Sequence, residues 1–306
     1  MHKLNSLVLP VILLFVCTTP ARAQASDHQQ PQEVIAAGRS GSEQRQATTI
    51  SREKLKSIEA AAKDGSVEAQ VMMGLFYETG RNVPRDEKTA VRWYEKAVEA
   101  GNPAAAEKMA FIYLEGRGVV KDATKACAIF RKGAENGYPV CQYNYAVHLQ
   151  TGNGTERDLA EALIWYIKAA EKGSTDAQLQ AALMVTRGEG VMEDHASAAK
   201  WLSKAAERGN ADALNTLGFL YQQGKGVEKD YAKARELYLA AAKRGSVQAY
   251  DNLGWLYSNG LGVPNNPDRA LEYYLQAAER GVVNAQNNIA MMYASGAGIP
   301  KDDEKA

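Results

Sequence analysis

Leu217-Gly218-Phe219-Leu220-Tyr221, then Gly224-Lys225-Gly226-Val227, Asp230, Lys233-Ala234, Tyr238 and Ala241-Ala242 before Gly245 form the stretch that decides the fold. Leu253 to Gly281 repeats it almost completely. Outward from it, Gly65, Gly101, Gly137, Gly173, Gly209, Gly245 and Gly281 stand 36 residues apart without a slip. Positions are counted here from each of these anchoring glycines. Position +4 is Ala, or Cys141 in the third unit, and +9 is Gly or Ala. Position +12 is Tyr except at Leu149 and Val185; +15 is always Gly, +21 always Asp or Asn, and +25 always Ala. A fixed period of this length marks a repeat architecture.

Each unit reads as two helices. The first begins just after the anchoring glycine, where Ser66, Asn102, Ser174, Asn210 or Ser246 can cap it. Pro103 sits one residue inside such a start, where its missing N–H does no harm. The first helix ends at the +15 glycine, and a Gly-x-Gly loop usually follows, as in Gly116-Arg117-Gly118. Asp86, Asp122, Asp158, Asp194, Asp230, Asn266 and Asp302 then stand where a second helix needs its cap. That helix carries the aromatics Trp93, Tyr94, Phe130, Trp165, Tyr166, Trp201, Tyr238, Tyr273 and Tyr274, and the next glycine closes it. No single unit buries its own apolar faces, so stability must come from stacking.

These residues resemble the Sel-one-like repeat (SLR) family, a relative of the tetratricopeptide repeat, over about residues 52–306. The resemblance implies an all-α fold, a right-handed α/α superhelical solenoid of 36-residue helix-turn-helix repeats with a concave surface for partners. The third and fourth repeats depart most, at Cys141, Leu149 and Val185.

The organisation follows. Residues 1–23 read as a secretory signal peptide: Lys3, the apolar run Leu7 to Cys17, and a cleavage site at Ala21-Arg22-Ala23. A lipoprotein signal using Cys17 lacks the small residue it needs among Leu14-Phe15-Val16. Residues 24–50, rich in Gln, Ser, Ala and Gly, read as a disordered tail. Residues 51–64 read as an N-terminal capping helix with Leu55, Ile58, Ala61 and Ala62 on its apolar face. Residues 65–306 hold six full repeats and one partial. Ala306 falls where a second helix should begin, so either the last first-helix closes the array or the chain continues. The expected location is periplasmic or secreted, and no segment is long and apolar enough for a membrane span.

Charge balances, with 36 Lys+Arg against 36 Asp+Glu, and gives no sign of a nucleic-acid partner. No constellation for catalysis, cofactor or metal stands out. Past the signal, His28, His148 and His195 are scattered, and no helix pairs His with His or Glu at ligand spacing. The Gly-x-Gly loops recur too regularly for phosphate sites and never continue into Gly-Lys-Ser/Thr. Asn153-Gly154-Thr155, a glycosylation sequon, lies in such a loop. Cys127 and Cys141 face an axial mismatch of about 9 Å at about 1.5 Å per residue, too far for a disulfide, and are expected as buried free thiols. The cysteine-rich relatives, some β-lactam binders, place their cysteines differently, so that activity does not carry over.

Position +10 is the candidate site. In the first helix +4, +8, +9, +11 and +12 are core, and at about 100° per residue +10 points away from them. It should be polar, yet reads Leu75, Phe111, Val147, Leu183, Phe219, Trp255 and Met291. By resemblance to tetratricopeptide arrays this face lines the concave groove. Position +6 flanks it, apolar at Val71, Tyr143 and Leu179, charged at Glu107, and polar at Asn215, Asp251 and Asn287. The partner-binding candidates are therefore Leu75, Phe111, Tyr143, Val147, Leu179, Leu183, Phe219, Trp255 and Met291. The bland alternative is that a tightly wound superhelix buries the row between neighbouring first helices. The leading reading is an exported adaptor, not an enzyme, that binds a protein or peptide. The alternative is an envelope polysaccharide or peptidoglycan binder or associated hydrolase, for which Trp255 near Asp251 and Phe111 near Glu107 are the only hints. A third reading is self-association through the C-terminal edge.

Overall fold

The computed structural model describes residues 50–302, 304 and 305. The signal peptide (1–23), the tail (24–50) apart from Ile50, and Ala306 lie outside them. Among the described residues the chain forms helices and no strand: α1 (Arg52–Lys63), α2 (Val67–Thr79), α3 (Glu87–Glu99), α4 (Pro103–Glu115), α5 (Ala123–Glu135), α6 (Pro139–Thr151), α7 (Leu159–Glu171), α8 (Thr175–Arg187), α9 (His195–Glu207), α10 (Ala211–Gln223), α11 (Tyr231–Lys243), α12 (Val247–Asn259), α13 (Pro267–Ala278) and α14 (Val283–Ser295). Each packs on the next in chain order, and α4 also packs on α6. First helices of successive repeats are thus neighbours in an all-α repeat solenoid.

Local chemistry fixes the boundaries. Asp86, Asp122, Asp158, Asp194, Asp230 and Asn266 each accept a hydrogen bond from the backbone N–H three residues on. Ser66, Asn102, Ser174 and Asn210 do the same for α2, α4, α8 and α10. Each such cap contributes about 1 kcal/mol. Ser246 does not act as a cap: it is 4% exposed and its hydroxyl makes no hydrogen bond. Packing, not capping, holds it.

The Gly-x-Gly loop has two separate jobs. Gly224 ends α10 in the left-handed region at φ 70°. Gly226, also left-handed at φ 69°, lies against the start of α9 in the preceding repeat, where a Cβ would come 2.2 Å from the His195 carbonyl carbon. The second glycine is therefore a backbone-to-backbone seam between repeats. In the first repeat Asn82 takes the left-handed conformation instead (φ 66°), and its Oδ1 accepts a hydrogen bond from the Ile50 N–H at 3.0 Å. Asn tolerates that conformation better than most residues.

Between the paired helices sits one large buried side chain per repeat: Tyr94, Phe130, Tyr166, Leu202, Tyr238 and Tyr274. Where it is tyrosine, the residue sixteen earlier is polar and receives its hydroxyl. Tyr94 donates to Glu78 (2.7 Å), Tyr166 to Gln150 (2.9 Å) and Tyr238 to Gln222 (2.6 Å), while Tyr274 lies 3.5 Å from the Ser258 hydroxyl. Where it is Phe130, the partner position is Leu114. Where it is Leu202, the position holds Thr186, whose hydroxyl returns to the Ala182 carbonyl. Buried polar groups are kept only where they find partners.

Candidate functional site

The +10 row lies on the first helices, and Phe111 in it packs on the core ring of its own repeat, Phe130. Leu75 (42%) and Met291 (54%) near the two ends are exposed, while Phe111, Val147, Leu183, Phe219 and Trp255 between them are half-buried. Phe111 meets Phe130 edge-on at 5.7 Å, and Val147, Leu183 and Trp255 each lean one side on a core cluster. Phe219 is half-buried yet joins none of the clusters.

The flanking row behaves differently. Tyr143 is half-buried against Tyr166 at 5.6 Å. Leu179 is 8% exposed and part of the core, so it is not a contact surface. Towards the C-terminal half, +6 joins a hydrogen-bonded ladder with +7 of the next repeat. Asn252 Nδ2 donates to Asn215 Oδ1 at 2.9 Å, and Asn288 Nδ2 donates to Asp251 Oδ1 at 3.2 Å. This pairing is invisible in the repeat pattern, because its partners stand 37 residues apart, one off the period.

Charge is uneven along these first helices. The first helices carry Glu68, Glu78, Glu107, Glu115, Asp176, Asp212 and Asp251 against only Lys108 and Arg187. Arg117, from the loop after α4, pairs with both Glu78 and Glu115, and Arg187 pairs with Glu189 at 3.5 Å. Asp176, Asp212 and Asp251 make no ion pair among the described residues. Burial pushes the Asp251 carboxyl up to about 6, against the opposing hydrogen bond from Asn288. Asp176 is also raised, first by burial of its carboxyl and then by the neighbouring Asp212, although the residue as a whole stays exposed.

The remaining candidate chemistry has structural roles. His148 is buried, its Nδ1 2.5 Å from the Asn153 carbonyl, and burial lowers its pKa. Cys127 and Cys141 are buried and unpaired. Burial pushes the Cys141 thiol up to about 12 and raises Cys127 as well, so neither is a nucleophile at neutral pH. No group of His, Cys, Asp and Glu among the described residues is arranged to hold a metal. Glu107 and Asp251 lie in separate repeats and do not converge. On the second helices Trp93, Trp165 and Trp201 each have a lysine over the ring, Lys96, Lys168 and Lys204, at 4.8, 3.8 and 4.5 Å. Beneath them Gln70, Gln142 and Gln178 donate to the carbonyls of Ala62, Ala134 and Ala170 at the end of the preceding helix. No described helix is long and apolar enough to cross a membrane.

The described residues thus form a solenoid of paired helices with an apolar row along its first helices. Its residues 67–102, 103–138, 139–174, 175–210, 211–246, 247–282 and 283–306 each match the Sel1 repeat, and the chain belongs to the Sel1 repeat family. It is similar to c5321, described as a protective antigen present in uropathogenic Escherichia coli strains and displaying an SLR fold. The TM-score is 0.74 and the identity 31%, over 82% of this chain and 54% of that one. The chain thus spans about half the length of that relative. It is also similar to a Sel1 repeat protein from Oxalobacter formigenes, with a TM-score of 0.64 and 32% identity over 79% of this chain and 96% of that one. No curated protein matches the chain.

Proposed function

We propose that this chain is an exported scaffold whose concave groove, floored by the +10 row, binds a protein or peptide. Sel1 repeats generally mediate protein–protein interaction. The observation that carries the reading for this chain is Phe219, a large aromatic on the inner wall that belongs to no core cluster. Apolar side chains that do not serve the core mark contact surfaces, and aromatics supply the anchors. Export rests on the signal sequence at residues 1–23, and fits a relative described as a protective antigen. The rival reading, a binder of envelope polysaccharide or peptidoglycan or an associated hydrolase, calls for open aromatic platforms beside carboxylates. Its two hints, Trp255 near Asp251 and Phe111 near Glu107, are instead half-buried rings that lean on the core.

The test is Phe219→Ser, compared with the unmodified chain by thermal melting and by affinity capture from an envelope extract. We expect a loss of stability below about 1.5 kcal/mol, since little of the core is touched, with loss of the captured protein. Trp255→Ser, which removes a ring leaning on the core around Leu253 and Leu256, should cost more. A cooperative loss of fold in Phe219→Ser would make the row packing and end the binding reading. Retained glycans in place of a protein would favour the rival.

A further inference from the structure

We propose that the C-terminal half of the groove takes an extended basic peptide, with a lysine or arginine of the peptide seated on Asp251 and its apolar side chains against Phe219 and Trp255. This rests on the groove reading above and names the chemistry of its partner. Three observations converge on it.

The first is uncompensated charge. Asp176, Asp212 and Asp251 stand on α8, α10 and α12 without an ion pair among the described residues, whereas Glu78 and Glu115 nearer the N-terminal end share Arg117, which offsets one of their two charges. On the second helices Lys168 and Lys204 are engaged over indoles, and Lys172 and Arg208 on the carbonyls of Gly137 and Gly173, while the first helices carry only Lys108 and Arg187 as cations. A partner entering from the inner side therefore meets negative charge. Opposite charge on the partner speeds encounter and fixes register.

The second is the setting of Asp251. It is half-buried, and its partner is the neutral amide of Asn288. A carboxylate removed from water without a counter-ion is costly, and an incoming ammonium or guanidinium relieves that cost. Burial already pushes this carboxyl up to about 6, so its ionised form is held at a cost that a cation beside it would offset.

The third is the amide ladder. Asn215, Asn252 and Asn288 spend one polar group each on the ladder. A primary amide offers two donors and an acceptor, so each keeps capacity for a peptide N–H or C=O. Rungs that recur once per repeat suit a strand running along the groove rather than a compact ligand.

The test is fluorescence anisotropy with the full chain and three labelled 12-residue peptides of one apolar framework, carrying lysine, glutamine or glutamate at every third position. The lysine peptide should bind at least about tenfold more tightly than the glutamate peptide, and Asp251→Asn should weaken it about tenfold, equivalent to about 1.4 kcal/mol. Glu135→Gln, on the second helix α5, controls for net charge and should leave binding unchanged. If the glutamine or glutamate peptide binds as well as the lysine peptide and Asp251→Asn has no effect, the basic-peptide proposal fails while the groove reading stands. If Glu135→Gln weakens binding as much as Asp251→Asn, the attraction is diffuse and the seat on Asp251 is wrong. If none of the three binds, the proposal fails, and the capture experiment with Phe219→Ser separately decides the groove.

Discussion

Asp251 stands where the neighbouring repeats carry Asn215 and Asn287, and that single difference should be readable in stability. Burial raises its pKa from 3.8 to about 6, so the folded state holds the proton more firmly than the unfolded chain. The sign follows from linkage: this group favours the fold when protonated, and its contribution declines as pH rises from about 4 through about 6. Asp251→Asn should therefore melt a few degrees above the unmodified chain at pH 7.5, with the gap closing towards pH 4. The side chain is only half-buried, so the gap stays small. His148, whose pKa burial lowers, has the opposite sense: its neutral ring favours the fold above about 6.5, and that contribution is lost on acidification. Both proteins share it, so it cancels from the comparison. A gap independent of pH would show that Asp251 is not desolvated as the structure has it.

Pairs of helices impose rules that no single residue shows. Tyr238 reaches from α11 to Gln222 on α10 at 2.6 Å, in a buried setting. Tyr238→Phe strands the Gln222 carbonyl and should cost about 1–3 kcal/mol in urea unfolding, and adding Gln222→Leu should recover most of it. The second repeat already uses that solution, with Phe130 and Leu114. The junction of α5 and α6 has its own pairing. A Cβ on Gly133 would lie 2.4 Å from Cys141 Sγ, and the corresponding positions elsewhere are two alanines, such as Ala97 with Ala105 or Ala169 with Ala177. Gly133→Ala alone should destabilise by about 1–3 kcal/mol through overpacking, and Gly133→Ala with Cys141→Ala should return to within about 1 kcal/mol of the unmodified chain. Additive costs in that cycle would mean the two positions do not share a contact.

At the scale of the whole array, the fold was legible because its determinants are local and recur. An Asp at +21 caps the helix that begins beside it, and a Gly at +15 takes the left-handed turn wherever it stands. The inner wall was legible only in outline. Which members of the apolar row stay open depends on how tightly successive first helices wind, and a period cannot report that. Leu179 is enclosed while Leu75 is open, though both are aliphatic residues on first helices. The ladder of Asn215, Asn252, Asp251 and Asn288 escaped because it links +6 to +7 across a repeat boundary. The glutamines at 70, 142 and 178 escaped because a polar residue at a core position is recognisable only once its acceptor, a carbonyl eight residues earlier, is in place.

The Gly133–Cys141 junction bears on how such an array can change over generations. Most neighbouring repeats meet through alanine on alanine, so a unit can be duplicated, lost or exchanged and its new neighbour will accept it. The third unit is keyed. Cys141 packs without crowding only behind a unit that ends with glycine at the position of Gly133, so separating the second and third units carries a packing cost that other junctions do not.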